Sequence, residues 1–285
     1  MIDPQSFLKN RVVNKNKLTI IFITYNHEEF VAQALDSILL QETDYSFQVL
    51  AYDDASTDGT RQIVQSYCDK YPDIFIPVLP DENLYSQGVR PVADILLPLC
   101  NSEYVATLEG DDAWTDPDKL QKQITFLDAN PDYVLAVHDV TSICEKNEVI
   151  EPVFLPDFYR KDFTGVELQK CWGGIMTQTA MYRNVLGVIP SEFHKAFSGD
   201  LFLASLLGAH GKSKFMFDIS PSLYRRHVGG VFTSLDSSLA QDMQALNFFW
   251  LYRYYRRTEN SELAEFYKQR IGQKLGLVSQ PSGTF

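Results

Sequence analysis

Apolar and polar residues alternate along the first half of the chain in a way that predicts strands followed by helices. Residues 18–24 form a nearly continuous, β-branched apolar run, which is typical of a strand buried on both faces. Asn26 follows, with Glu29 three positions later, and this pair predicts a capping box at a helix start. Apolar residues then recur at helical spacing from Phe30 to Leu39. The pattern therefore predicts a strand–helix unit at the start of the fold.

The same alternation predicts a parallel sheet. Further strands are expected at 47–52, 104–108 and 133–140. Further helices are expected after the turn at 55–60 and after Asp116-Pro117, since proline is favoured at the first helical position. Strands that alternate with helices form right-handed βαβ units, so the strands should run parallel. Beyond about residue 141 the pattern is less regular, with helices expected near 200–209 and 238–257.

The composition excludes one broad class of function. The chain of 285 residues has a formal charge of −12, from 25 basic and 37 acidic residues, so no basic surplus exists to neutralise nucleic-acid phosphates. Its four cysteines are widely spaced without a CxxC pair, which argues against a zinc site or disulfide framework and fits a reducing compartment. The sequence shows no signal-type apolar core and no apolar run near eighteen residues, so we expect a cytoplasmic protein without a membrane span.

Polar clusters follow three of the predicted strands, at the point where each strand ends. They are Thr24-Tyr25-Asn26, Asp53-Asp54 and residues 109–112. Because ligands of open α/β sheets bind at the carboxyl edge of the strands, the three clusters should converge on one pocket. Aspartates after strands also serve as turn formers and caps, and we apply that interpretation to Asp58.

The stretch LEGDDAW, residues 108–114, has three carboxylates within four positions. Like charges this close repel one another, and a bound cation relieves the repulsion. Oxygen ligands without neighbouring histidine or cysteine favour Mg²⁺ or Mn²⁺, with substrate phosphates completing the coordination shell. The sequence contains neither a GxxxxGK[ST] loop nor a GxGxxG fingerprint, so the predicted guest is a diphosphate held through the metal.

Five stretches of the chain resemble the family 2 glycosyltransferases, which have the GT-A fold. They are TIIFITYNHEEFVAQALDSILLQ, QVLAYDDASTDGTRQIV, YVATLEGDDAWTDPDKLQKQITFL, FSGDLFL and YRRHVGG, and together they span about residues 18–230. The resemblance implies an α/β fold with a Rossmann-like, mostly parallel central sheet flanked by helices, and with a C-terminal helical extension. It implies an N-terminal extension at 1–17, a catalytic domain at 18–235 and a helical region with a tail at 236–285. Within the catalytic domain, 18–140 would be the nucleotide-binding half and 141–235 the acceptor-binding half.

The resemblance also implies roles for single residues. The expected nucleotide-binding residues are Thr24, Tyr25, Asn26, Asp53, Asp54, Arg90, Glu109 and Gly110. The expected contacts to donor sugar or acceptor are Asp112, Trp114, Gly173, Gly174, Gly199 and Arg225. Asp111 is the expected metal ligand, joined by His227, and Asp200 is the expected catalytic base. The chain departs from the family's DxD motif at Glu109, whose extra methylene shifts the carboxylate, so Asp111 is the firmer metal ligand.

Four features keep a structural alternative. For Gly173-Gly174 it is a tight turn. For Asp200 it is the N-cap of a helix at 201–207, and for His227 it is an ordinary loop position. The stretch 247–257, aromatic and then basic, fits either a buried C-terminal helix or a contact with a membrane surface or lipid acceptor. The remaining histidines show no ligand spacing and are interpreted as structural; they are His27, His138, His194 and His210.

The function that the resemblance implies is inverting transfer of a sugar from a nucleoside diphosphate to a hydroxyl acceptor, with Mn²⁺ or Mg²⁺ as cofactor. Uridine diphosphate is the first expectation, with thymidine and guanosine diphosphates as alternatives. The implied acceptor is a surface polysaccharide or lipid-linked glycan, and the implied location is the cytoplasm, with peripheral contact at the inner face of the membrane. A catalytically silent member that binds sugar nucleotides or glycans is the non-enzymatic alternative. A sugar nucleotidyltransferase is disfavoured because no Gly-rich loop follows the first strand.

Overall fold

A central mixed sheet organises the part of the chain that the computed structural model describes, residues 3–8, 16–173, 175–229 and 237–277. Its strands, with those of a smaller sheet, are β1 (Leu18–Thr24), β2 (Phe47–Asp53), β3 (Phe75–Val78), β4 (Tyr104–Glu109), β5 (Tyr133–His138), β6 (Val140–Cys144), β7 (Val149–Glu151), β8 (Met181–Arg183), β9 (Lys212–Met216) and β10 (Ser222–Arg226). The central sheet has the order β3-β2-β1-β4-β8-β5-β9, and β10-β6-β7 form the smaller one. The strand predicted at 133–140 is therefore divided, because the chain changes sheets at Asp139.

Helices connect most of these strands, as the alternating pattern predicted. They are α1 (Val31–Leu39), α2 (Thr60–Lys70), α3 (Leu97–Leu99), α4 (Lys119–Ala129), α5 (Gly165–Gln169), α6 (Gly199–Leu207), α7 (Ser237–Arg257) and α8 (Ser261–Lys274). A π-helical turn, Val92–Leu96, precedes α3, and short 3-10 turns lie at Pro4–Leu8, Tyr85–Gln87, Asp157–Tyr159, Thr177–Thr179 and Phe193–Lys195. Strands β1 to β4 are parallel, and β8 is the antiparallel member between β4 and β5.

Strand β1 is buried on both faces because it separates the two cores of the fold. Leu18, Ile20 and Phe22 belong to a core that includes residues of α1, α2 and α4. Ile21 belongs to the second core, which includes residues of α6, α7 and α8. Successive residues of a strand point to opposite faces, so a strand between two cores must be apolar at consecutive positions. This is the physical reason why the apolar run at 18–24 correctly predicted strand β1.

The C-terminal hairpin, defined here as α7 and α8, packs into the second core. Phe248, Leu251 and Tyr255 of α7 are buried there together with Tyr267 of α8. The rings of Tyr255 and Tyr267 are 5.8 Å apart and nearly parallel, at 6°. The aromatic stretch is thus a core helix, which confirms the first of its two interpretations. In the part of the chain that the structure describes, no helix combines the length and apolar composition that a bilayer crossing requires.

The predicted capping box at Asn26 and Glu29 is wrong. Helix α1 begins at Val31, and Phe30 occupies the N-cap position without a side-chain cap. Asn26 adopts a left-handed backbone, with φ of 55°, and its Oδ1 accepts a hydrogen bond of 2.8 Å from the backbone N–H of Thr57. Asn tolerates this conformation better than most residues. A tertiary contact between two loops at the sheet edge therefore replaces the local helix cap.

Candidate active site

The predicted convergence of three polar clusters on one sheet edge is confirmed. Strands β2, β1 and β4 are neighbours, and their register aligns Thr24 with Asp53 and Ile23 with Glu109. Strand β1 has β2 on one side and β4 on the other, so the chain order reverses here. Such a switch point is where open α/β sheets bind ligands.

Gly110 brings the acidic loop, residues 109–112, against the end of β1. Its backbone N–H donates a hydrogen bond of 2.9 Å to the carbonyl of Ile23. A Cβ at this position would lie 2.7 Å from the Cβ of Thr24 and still nearer to its Oγ1. Only glycine therefore permits this approach, which fixes the neighbouring Glu109 and Asp111 at the sheet edge.

Replacement of Gly110 by alanine should separate β4 from β1 at this edge. We expect Gly110→Ala to lower the free energy of unfolding by about 1–3 kcal/mol, which is typical of overpacking. Urea denaturation of Gly110→Ala and of Gly110→Ala combined with Thr24→Gly measures this effect. Thr24→Gly removes the two atoms that clash, Cβ and Oγ1 of Thr24. Gly110→Ala should therefore lower the free energy of unfolding less in the Thr24→Gly variant than in the wild type. Wild-type stability of the single variant would contradict the proposed crowding.

Two imidazoles flank the carboxylate of Asp111. His227 Nε2 lies 3.0 Å from Asp111 Oδ2, and His27 Nδ1 lies 3.8 Å from Asp111 Oδ1. His27 Nδ1 also lies 3.2 Å from Thr24 Oγ1, which fixes the ring at the end of β1. One ligand atom from each of His27, Asp111 and His227 lies within 4.8 Å of the others, a spacing that suits a metal ion.

His27 is the functional candidate that the sequence analysis missed. Its lack of ligand spacing along the sequence predicts a structural role. Its position directly after Thr24-Tyr25-Asn26 was the available signal, since that cluster was already expected at the pocket. Burial lowers the pKa of His27 despite the nearby charge of Asp111, whereas the hydrogen bond with Asp111 raises the pKa of His227. Of the two imidazoles, His27 is therefore the more readily neutral, and neutral imidazole is the form that binds metals.

A second set of candidate ligands consists of oxygen atoms only. One carboxylate oxygen from each of Glu109, Asp111 and Asp112 lies within 4.8 Å of the others. Asp112 Oδ1 accepts a hydrogen bond of 2.9 Å from the backbone N–H of Arg225. Asp112 Oδ2 is buried and has no hydrogen-bond partner among the described residues. Buried carboxylate oxygens normally have a partner, so this atom fits a cation. Asp111 belongs to both sets.

The electrostatics of the acidic loop concentrate its charge on Asp111. Burial, together with the charges of Asp111 and Asp200, raises the pKa of Glu109 to about 8. Burial, together with the charges of Asp111 and Glu109, raises the pKa of Asp112 well above its ordinary value. Burial also opposes ionisation of Asp111, but hydrogen bonding with His227 and the charge of His27 outweigh it and lower its pKa. A divalent cation at Asp111 would favour the ionised forms of the other two carboxylates.

Asp200 lies close enough to the acidic loop for its charge to act on Glu109. It is the second residue of α6, after the N-cap residue Ser198, so its N-cap interpretation is wrong. Ser198 Oγ donates a hydrogen bond to Asp200 Oδ1. Burial raises the pKa of Asp200 in spite of this bond. A carboxylate with a raised pKa beside a ligand site has the properties of a general base.

Arg225 and Trp114, the expected contacts to donor sugar or acceptor, are buried side chains. Arg225 is 2% exposed, and its guanidinium donates hydrogen bonds to the carbonyls of Asp111 and Cys144 and to side-chain oxygens of Asn147 and Gln33. Trp114 is buried as well, and its indole N–H donates to the carbonyl of Gln178 at 2.7 Å. The Arg225 side chain therefore contacts the acidic loop directly, whereas the Trp114 side chain contacts the turn at Thr177–Thr179.

Asp53 and Asp54 shape the loops at the expected nucleotide edge. Asp53 accepts hydrogen bonds from the backbone N–H and the hydroxyl of Ser56. Asp54 accepts hydrogen bonds from the backbone N–H groups of Leu84 at 2.9 Å and Tyr85 at 3.1 Å. Through these contacts, Asp53 fixes the turn that follows β2, and Asp54 joins the carboxyl end of β2 to the loop after β3. Tyr25, at the same edge, is 42% exposed.

Arg90, an expected nucleotide contact, holds a segment before α6. Its guanidinium donates hydrogen bonds of 3.1 Å to the carbonyls of His194 and Ala196. Among the expected glycine contacts, a Cβ on Gly199 would lie 3.2 Å from the ring of Phe193, and one on Gly173 would lie 3.0 Å from Phe163. These glycines therefore permit close packing within the protein. Gly174 lies outside the described residues.

An open cleft of about 770 Å³ adjoins His227, one of the two imidazoles beside Asp111. It is lined by Cys144, Glu145, Lys146, Glu148, Arg226, His227 and Val228. His227 contributes both to this cleft and to the contacts of Asp111. The cleft therefore offers space for a ligand directly beside the candidate metal centre.

Comparison with protein families matches residues 19–188 to the family described as "Glycosyl transferase family 2". Rv1520 of Mycobacterium tuberculosis, an uncharacterized protein, is 34% identical over 219 residues, which are 76% of this chain and 61% of that protein. The chain thus spans less than two thirds of this relative. TuaG of Bacillus subtilis, named a putative teichuronic acid biosynthesis glycosyltransferase, is 33% identical over 40% of this chain and 42% of its own length.

Two solved structures are similar in fold. The mannosyltransferase PcManGT from Pyrobaculum calidifontis, in complex with GDP-Man and Mn²⁺, has a TM-score of 0.60 at 18% identity, covering 98% of this chain and 82% of that one. TarS 1–349 from S. aureus, in complex with UDP-GlcNAc, has a TM-score of 0.59 at 17% identity, covering 92% of this chain and 84% of that one. At this identity the likeness concerns the fold, and it confirms the predicted GT-A architecture.

Proposed function

The chain belongs to glycosyl transferase family 2, and from this membership we propose that it transfers a sugar from a nucleoside diphosphate to a hydroxyl acceptor. The observation that carries the proposal is the position of Asp111. It lies at the switch point of the sheet, next to the imidazoles of His27 and His227, and Asp200 is close enough to act on the same acidic loop. A metal-binding carboxylate and a candidate base at one ligand edge are the two elements that metal-assisted glycosyl transfer needs.

The proposed cofactor is a divalent cation, held by Asp111 and by ligands from the two sets that share it. When bound, such a cation stabilises the charge that grows on the departing diphosphate. The imidazole nitrogens favour Mn²⁺ over Mg²⁺, because Mg²⁺ prefers oxygen ligands and retains its waters. PcManGT, a structural neighbour, was solved with Mn²⁺.

The proposed base is Asp200. Its carboxylate accepts the proton of the acceptor hydroxyl while the hydroxyl oxygen forms a bond to the anomeric carbon. The bond from that carbon to the diphosphate oxygen breaks, and the nucleoside diphosphate leaves. Attack from the face opposite the leaving group inverts the anomeric configuration. Burial of Asp200 suits this role, because a carboxylate with a raised pKa accepts protons more readily.

For the substrates we propose a nucleoside-diphosphate sugar and a growing polysaccharide or lipid-linked glycan. UDP remains the first candidate nucleotide. Structural neighbours were solved with UDP-GlcNAc and with GDP-Man, which supports testing both uridine and guanosine diphosphates. The acceptor class is supported by the name of TuaG. The four cysteines are free, which fits the proposed cytoplasmic location. On the outer side of α7, the exposed ring of Phe249 and the exposed Arg253 support a peripheral membrane contact.

A thermal-shift panel of UDP, GDP and dTDP, each with and without MnCl₂, tests the proposed function. At a concentration of about 100 Kd the matching nucleotide should add about 2.7 kcal/mol to the free energy of unfolding, and only with metal present. Uridine and guanosine with MnCl₂ are the controls, because they lack the diphosphate. An equal shift in EDTA would contradict metal-assisted binding. Binding of a donor sugar without any release of nucleoside diphosphate would identify a silent member of the family instead.

A further inference from the structure

The residues directly before α6 are held by the C-terminal hairpin. We call residues 192–198 the support segment, because they lead into the helix that contains Asp200. Asn247 of α7 is 2% exposed, and its Oδ1 accepts hydrogen bonds from the backbone N–H groups of Phe197 at 2.7 Å and Ser198 at 3.0 Å. One amide oxygen therefore satisfies two consecutive backbone donors.

A second contact joins α7 to the start of the same segment. The guanidinium of Arg257 donates two hydrogen bonds to the carboxylate of Glu192, at 2.7 Å and 2.9 Å. Between these two contacts, the Nζ of Lys195 lies 4.8 Å from the ring centroid of Trp250. Helix α7 thus follows the support segment from one end to the other.

The opposite side of the support segment is held by residues before α3. Arg90 donates to the carbonyls of His194 and Ala196, and His194 Nδ1 lies 3.2 Å from Asp94 Oδ1. Gly199 follows the segment. Because glycine has more backbone freedom than other residues, contacts with neighbouring residues must fix the conformation of the chain at this point. The orientation of the first turn of α6 therefore depends on the residues that hold 192–198.

Ser198 connects this support to the candidate base. Its backbone N–H donates to Asn247, and its hydroxyl donates to Asp200 Oδ1. We propose that Asn247 is a positioning residue, which orients the carboxylate of Asp200 for proton transfer through Ser198. This inference rests on the proposed function, and it makes the C-terminal hairpin part of the apparatus that positions the base. Asn247 itself does not touch the substrate, so its loss should affect turnover and not donor binding.

The test compares Asn247→Leu, which removes the acceptor at similar size, with Asn247→Asp, which keeps it. We expect Asn247→Leu to lower kcat by about 10²-fold, the cost of misplacing a reacting group by about 1 Å, with the donor KM within about twofold of wild type. Asn247→Asp should retain most of the turnover. The reaction measured is Mn²⁺-dependent release of nucleoside diphosphate from UDP-GlcNAc and from GDP-mannose, with water as acceptor. If Asn247→Leu does not fold, Asn247→Ala replaces it with the same expected result.

Two further measurements separate positioning from a general loss of stability. Leu263→Ala weakens the core of the same hairpin, where Leu263 is 3% exposed, and should lower Tm while leaving kcat unchanged. Amide hydrogen exchange at Phe197 and Ser198 needs no substrate. It should accelerate in Asn247→Leu and remain slow in Asn247→Asp and in Leu263→Ala. Unchanged exchange in Asn247→Leu, or a loss of kcat in Leu263→Ala equal to that in Asn247→Leu, would overturn the inference.

A double-mutant cycle with Asp200→Asn distinguishes failure of this inference from failure of the proposed function. Without a base to orient, Asn247→Leu should have little further effect on kcat. If Asn247→Leu lowers kcat by the same factor in the Asp200→Asn variant as in the wild type, the positioning role is overturned. If Asp200→Asn keeps wild-type turnover, the assignment of the base fails, and the inference fails with it. If Asp200→Asn loses turnover and Asn247→Leu does not, only the inference is overturned.

Discussion

Asp111→Asn should abolish manganese-dependent nucleotide binding. The substitution keeps the shape of the side chain and removes the only carboxylate that belongs to both candidate ligand sets. Loss of an outer-shell partner of a metal ligand already costs about 10–100-fold in affinity, so loss of the ligand should cost at least about 10²-fold. Isothermal titration calorimetry with the nucleoside diphosphate, in MnCl₂ and in EDTA, measures the effect.

Asp81→Asn is the matched control for Asp111→Asn. It makes the same change of charge at a side chain that is 92% exposed and whose ion pair, within the described part of the chain, is with Arg61. Its nucleotide affinity should equal that of wild type. Manganese-dependent affinity that survives in Asp111→Asn would reject the metal centre.

The single variants His27→Ala and His227→Ala then decide which of the two ligand sets completes the coordination. Loss of an imidazole ligand should weaken binding of Mn²⁺ more than binding of Mg²⁺.

Asp200→Asn should lower turnover by about 10²–10⁴-fold, the contribution typical of a general base, with nearly unchanged affinity for the donor. The asparagine preserves the size of the side chain, but it has no basic oxygen to accept the proton. Steady-state release of nucleoside diphosphate gives kcat, and calorimetry of the donor gives the affinity. An equal loss of both would assign Asp200 a structural role.

The pH dependence of turnover provides a second measurement of Asp200. Burial raises its pKa, and only the ionised carboxylate accepts a proton, so kcat should rise with pH through a midpoint above the ordinary aspartate value. This limb should disappear in Asp200→Asn. Asp128→Asn is the control, because Asp128 binds Lys17 and the hydroxyl of Tyr104 at the amino end of β4, the opposite edge of the sheet. It should retain the profile of wild type.

Strands and the polar residues that follow them were predictable because the signal is local. A strand between two cores must be apolar at consecutive positions, so the run at 18–24 identified β1 without further information. The rule that parallel strands end at one edge then brought Asp53 and Glu109 together correctly. The place of the acidic loop thus followed from periodicity and topology alone.

The partners of individual side chains were not predictable, since they depend on residues far away in sequence. Arg225 has the chemistry of a phosphate ligand, but its guanidinium is buried and bonded to five acceptors within the chain. Asn26 has the sequence pattern of a helix cap, but its Oδ1 accepts a hydrogen bond from the backbone N–H of Thr57 and caps no helix. His27 has no ligand spacing and yet lies beside Asp111. Each outcome follows from tertiary contacts that a local pattern does not contain.

The packing of α7 and α8 against α6 has a consequence for the predicted domain boundary at residue 235. Phe202 of α6 lies in one apolar cluster with Phe248, Leu251 and Tyr267. A polypeptide ended at this boundary would leave that cluster open to water on one side, so we expect the region 18–235 to need α7 and α8 for a closed interior. Exchange of the last fifty residues between relatives should therefore succeed only when the surface of α6 is exchanged with them.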